Sequence, residues 1–86
     1  WHGVVKFSIW RGLEQFENNE YSSAIPHLER AVQMYPKPIG RFHVILGEMY
    51  LETGEISKAR EYALKAQAIN PQHEAPMELL EKLSEN

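Results

Sequence analysis

Apolar residues recur along this chain at intervals of three and four, and Asn, Gly or Pro stands at the breaks between these runs. That spacing draws one apolar stripe along an α-helix, whereas a half-buried strand alternates at every second residue. Five helices are predicted. The first, over 5–16, carries Val5, Ile9, Leu13 and Phe16 on one side, with Gly12 among them. The second, over 21–34, carries Tyr21, Ala24, Ile25, Leu28, Ala31 and Val32, and Pro26 is placed in or just after its first turn, where backbone N–H groups need no acceptor. The third, over 42–52, is apolar on nearly every side, through Phe42, Val44, Ile45, Leu46, Met49, Tyr50 and Leu51, and is expected at the centre of the molecule. The fourth, over 56–69, sets Ala59, Ala63 and Ala66 against charged residues, with Glu61 and Lys65 spaced for an ion pair. The fifth, over 74–84, presents Met77, Leu80 and Leu83 on one side and reads as a cap. Asn19 and Gly54 suit the left-handed conformation that closes a helix, while Tyr35-Pro36-Lys37-Pro38 and Asn70-Pro71 stop the second and fourth helices.

The chain also repeats itself. A shift of 35 residues pairs Phe7 with Phe42, Gly12 with Gly47, Glu17 with Glu52 and Glu20 with Glu55. It continues through Ser22/Ser57, Ala24/Ala59, Ala31/Ala66 and Pro36/Pro71, which makes eight identities in 30 aligned pairs. Chance supplies about two at ordinary residue frequencies. A period in the thirties marks a helical hairpin that cannot bury its apolar face alone and stacks on copies of itself.

Leu46-Gly47, Tyr50, Gly54, Ala59, Ala63, Ala66 and Pro71 stand at spacings that resemble the tetratricopeptide repeat. In the first unit Gly12, Tyr21, Ala24, Leu28, Ala31 and Pro36 fit that pattern. Ser8, Arg11 and Gln15 depart from it, at places where the family has bulky, leucine and aromatic residues, and His43 departs at the bulky place of the second unit. The resemblance implies an all-α fold: a right-handed superhelical stack of antiparallel helix pairs, with two repeats and a C-terminal capping helix. As one domain over 1–86, the repeats take about 3–36 and 38–71 and the cap about 73–85. The residue beyond the family's 34-residue period is placed in the stretch 37–40. A terminal repeat without a preceding neighbour is expected to be atypical, which accounts for the departures in the first unit.

Composition narrows the function. The 86 residues are 43% apolar and 24% charged, as in one small globular domain, too short to enclose a deep active-site cavity unaided. Nine basic against twelve acidic residues give a net charge of −3, without the basic surplus that nucleic acid or an anionic membrane surface attracts. No apolar run is longer than three residues, as in Val44-Ile45-Leu46, so no membrane insertion is expected. The start at Trp1-His2-Gly3-Val4-Val5 fits no signal peptide, and the chain is expected to be a piece of a longer protein. Cysteine is absent, and His2, His27, His43 and His73 fall on separate elements without ligand spacing, so no metal or other cofactor is expected. No serine sits in a nucleophile turn; Ser22 and Ser57 recur at the start of a helix and are read as caps. The glutamates read as solvated helix faces, and no enzyme is predicted.

Function is therefore expected in a surface. On the family's plan the first helix of each unit lines a concave face that binds an extended peptide or a partner helix. The residues that the resemblance places there are Lys6, Ile9, Leu13, Phe16 and Glu17 from the first unit. The second unit adds Arg41, Val44, Ile45, Glu48, Leu51 and Glu52. The cationic residues with which one subfamily grips the terminal carboxylate of chaperone tails are absent, since Ile9, Leu13 and Ile45 stand at those positions. An apolar ligand with positive charge is expected instead. The alternative is an appendage of a larger enzyme or membrane-associated protein that recruits nothing or self-associates, and Trp1, Val4, Phe7 and Trp10 are the candidate patch for a homodimer.

Overall fold

The five predicted helices form in order: α1 (His2–Glu17), α2 (Tyr21–Met34), α3 (Gly40–Glu52), α4 (Ile56–Ile69) and α5 (Glu74–Ser84). The structure is a computed structural model that describes residues 2–34 and 40–84. The predicted stop at Tyr35-Pro36-Lys37-Pro38, and all of the stretch 37–40 except Gly40, lie outside the described residues. Helices α1 and α3 begin ahead of their first apolar residue, because the opening turn of a helix has no buried side to mark.

The two turns that fold α1 onto α2 and α3 onto α4 are the same object 35 residues apart. Asn19 (φ 62°) and Gly54 (φ 86°) are left-handed. The amides of Asn19 and Gly54 donate to the carbonyls of Phe16 and Leu51, at 3.0 and 3.1 Å. Those of Glu20 and Glu55 reach back to Gln15 and Tyr50, both at 2.8 Å. This paired 5→2 and 6→1 bonding is the Schellman closure. In each turn the same glutamate then starts the next helix, since its carbonyl accepts from the amide of Ala24 or Ala59. The reading of Ser22 and Ser57 as caps is thereby corrected: the cap position falls on Glu20 and Glu55, two residues earlier, and Glu55 makes no side-chain capping bond. With α2 opening at Tyr21, Pro26 lies just after the first turn, within the expected range but past the free amides, so it removes the amide that would donate to the Ser22 carbonyl.

Packing runs in chain order, α1 on α2, α2 on α3, α3 on α4 and α4 on α5, with α5 also touching α3. Helix α3 is therefore central, as its apolar surround implies. Leu46 and Met49 are wholly buried, and together with Ile45 and Tyr50 they join Ala24, Ile25 and Leu28 of α2 and Ala59 and Ala63 of α4 in one core. Glycine permits the tightest approaches. A Cβ on Gly12 would stand 2.7 Å from Leu28 Cγ. On Gly47 it would stand 2.6 Å from Leu79 Cδ2 and 3.2 Å from the Ala59 carbonyl oxygen. On α5 the buried residues are Pro76, Leu79 and Leu83, with Leu80 half-buried, while Met77 is 48% exposed. The predicted stripe of Met77, Leu80 and Leu83 is thus turned by one position. The cause is spacing: α5 follows α3 at 34 residues instead of 35, so Pro76, Leu79, Leu80 and Leu83 take the places of Phe42, Ile45, Leu46 and Met49.

The two hairpins differ along their inner seams. Between α3 and α4, Tyr62 stacks on Tyr50 at 5.7 Å between ring centres, and His43 lies 5.8 Å from Tyr62. The same places in the first hairpin hold Gln15, His27 and Ser8. Ser8 and Gln15 are buried there, and the Gln15 Oε1 has no hydrogen-bond partner among the described residues. Ile9, Leu13 and Phe16, the apolar stripe read from sequence, are only half-buried, because Ser8, Gly12 and Gln15 occupy the seam.

Candidate protein-interaction surface

The residues expected to line a concave face form two equivalent sets. Ile9, Leu13, Phe16 and Glu17 on α1 correspond at a shift of 35 to Val44, Glu48, Leu51 and Glu52 on α3. Both helices are first members of their hairpins, so equal positions fall on equal faces. Leu13, Phe16 and Leu51 pack against the core by one side only, while Glu17 and Glu52 are exposed. Phe16 is held by the ring of Tyr21 at 5.9 Å, and the Tyr21 hydroxyl donates to Asn19 Oδ1 at 2.7 Å, so the turn fixes this end of the strip. Arg41 is exposed at the other end of α3, and the side chain of Lys6 lies outside the described ones.

Val44 and Ile45 stand apart from the rest, at 5% and 8% exposure. Ile45 is in the core with α2, because its counterpart in the repeat is Trp10 and not a residue of the strip. They form wall more than contact surface. Glu48 is half-buried, and burial raises its pKa above the ordinary carboxylate value. Lys82 of α5 opposes that shift through its charge and the neighbouring Glu52 adds to it. The acidic part of the strip on α3 is thus bordered by a cation from α5.

Of the proposed self-association patch, Phe7 and Trp10 are 55% and 57% exposed, with their rings 6.0 Å apart. Trp1 lies outside the described residues, as does the side chain of Val4. Beside Trp10, an open groove of about 270 Å³ is lined by Trp10, Leu13, Glu14 and Glu17, and Glu14 pairs with Arg11 along the helix.

A cluster that the spacing of single residues did not reveal joins the two hairpins. The Tyr62 hydroxyl donates to Glu29 Oε2 of α2 at 3.0 Å, and Lys58 and Lys65 lie over the rings of Tyr50 and Tyr62 at 5.4 and 5.1 Å. Burial, and then Glu29, push both phenols above the ordinary tyrosine range. The cluster is a clamp between units; Lys65 also makes the predicted pair with Glu61, at 3.3 Å. Among the described residues no group of His, Asp or Glu is arranged to hold a metal ion, and no helix is long and apolar enough to cross a membrane.

A family model described as tetratricopeptide repeat covers residues 11–74. No curated protein and no solved structure matches the chain.

Proposed function

The chain belongs to the tetratricopeptide repeat family, and from that premise we propose that it is a protein-interaction module that holds an apolar, positively charged peptide or partner helix against the first helices of its hairpins. Repeats of this family generally mediate protein–protein interaction. The supporting observation is the strip itself. Leu13, Phe16 and Leu51 are partly covered, the last two at repeat-equivalent positions, and acidic Glu17 and Glu52 flank them in the open. Partly covered apolar groups supply the contact area, and the carboxylates choose a cationic partner over an acidic one.

Charge reversal tests it. Glu48→Lys with Glu52→Lys should abolish micromolar binding of peptides that carry an apolar residue beside Lys or Arg, with the melting temperature unchanged. A fall in melting temperature with unaltered affinity would assign both glutamates to the fold and leave the strip without a ligand.

A further inference from the structure

The outer face of α1 repeats a surface that the chain uses twice elsewhere. Phe7, Trp10, Arg11 and Glu14 correspond at 35 residues to Phe42, Ile45, Leu46 and Met49, and these correspond at 34 residues to Pro76, Leu79, Leu80 and Leu83. On α3 that face lies in the core shared with helix α2, and on α5 it packs on α4 and α3, with Leu79 against Gly47. On α1 it is open, with Phe7 and Trp10 more than half exposed. The geometry it offers is that of a seat for one helix.

Its chemistry differs from the other two seats. Leu46 and Met49 are replaced by Arg11 and Glu14, and the groove beside Trp10 has two carboxylates, Glu14 and Glu17, on its rim. Arg11 pairs with Glu14, whereas Glu17 has no ion-pair partner among the described residues. A helix as apolar as α2 along Ala24, Ile25 and Leu28 would bury the Glu17 carboxylate without compensation, which costs several kcal/mol. An exposed indole with carboxylates one and two turns further along the same helix instead fits the flexible stem and charge of Lys or Arg, through cation–π contact and ion pairing together.

We propose that this face docks a basic amphipathic helix of a partner protein, seating an apolar side chain against the paired rings of Phe7 and Trp10 and a Lys or Arg over Trp10 beside Glu14 and Glu17. A second copy of the chain is the poorer occupant. A contact between two copies through α1 brings four carboxylates to one face, Glu14 and Glu17 from each, and the exposed surface of α5 bears Glu74, Glu78 and Glu81. Of the cations on α4, Lys58 and Lys65 already lie over tyrosine rings.

The test is a fluorescence titration of the chain with a helical peptide bearing two leucines four residues apart and an arginine one turn beyond. Quenching of Trp10, with Trp1→Phe in the background, should report a Kd in the micromolar range. The exposed substitutions Glu14→Lys with Glu17→Lys should weaken binding at least about tenfold and should accept the same peptide with arginine replaced by glutamate. Trp10→Ala, read by calorimetry because it removes the remaining indole, should also weaken it, whereas Glu78→Lys on the exposed side of α5 should not; Trp10 belongs to this seat and not to the strip proposed above. The idea is overturned if the parent shows no binding up to about a millimolar peptide. It is equally overturned if the Trp10 and Glu14/Glu17 variants bind like the parent. Sedimentation at twice the chain mass, reversed by Trp10→Glu, would give the face to a second copy instead.

Discussion

Two residues of the first helices show how far a single side chain can be read. Gly47 is legible in the sequence as a close approach, but its neighbours are not. The atoms a Cβ would meet first are Leu79 of the capping helix and the Ala59 carbonyl, from two different helices. Leu79 can give way to a methyl, but a branched chain would meet both at once. Gly47→Leu should therefore cost about 3 kcal/mol or more and lower the melting temperature by over about 10 °C. A melt within a degree or two of the parent would mean that α5 does not lie on Gly47. Gln15 carries the opposite lesson. Its place in the repeat is that of Tyr50, and it is buried at 6% exposure with Oε1 unpartnered. Gln15→Met keeps the length and removes the buried acceptor, so it should stabilise by about 1 kcal/mol, or about 4–8 °C. Loss of stability in that variant would reveal a hydrogen bond that holds the amide in place.

At the scale of elements, α2, α4 and α5 carry their sequence-predicted ends because both boundaries are written in local chemistry: a left-handed residue and a glutamate open α2 and α4, and Asn70 closes α4. What could not be read locally was rotation. The stripe on α5 and the half-buried stripe on α1 are both turned from their predicted faces, since spacings of three and four allow two adjacent stripes and only the neighbouring helix selects one. The period decides it, 34 residues from α3 to α5 against 35 from α1 to α3. The turns themselves are testable in isolation from packing. A Cβ on Gly54 would meet nothing within 4 Å, yet φ is 86°, so Gly54→Ala should lose about 1–2 kcal/mol through the backbone alone. Gly54→Asn should lose less, because Asn19 already adopts this conformation in the first turn. Equal losses in the two variants would place the cost in packing instead.

Over the whole molecule, stability should fall off from α3 outward. Helix α3 touches α2, α4 and α5, whereas α1 has a substantial contact with α2 alone across a seam holding Ser8 and the unpartnered Gln15. In a stack whose units hold only their neighbours, the least supported hairpin opens below the global unfolding free energy. The Tyr62–Glu29 bond and the packing of α2 on α3 tie α2 to the second unit, so opening should begin with α1 and not with the first hairpin as a block. The proposed strip lies partly and the proposed helix seat wholly on that helix, and a ligand on either one would have to hold it closed. Native-state hydrogen exchange should then rank protection as α3 first, α2 and α4 next, and α1 last. A bound basic helix should raise protection most in α1, by RT ln(1 + [L]/Kd), which is about 2.7 kcal/mol at a hundredfold excess over Kd. Uniform protection across α1 and α3 in the free chain would show a single cooperative unit. In that case the polar seam carries no local weakness, and ligand binding would protect every helix alike.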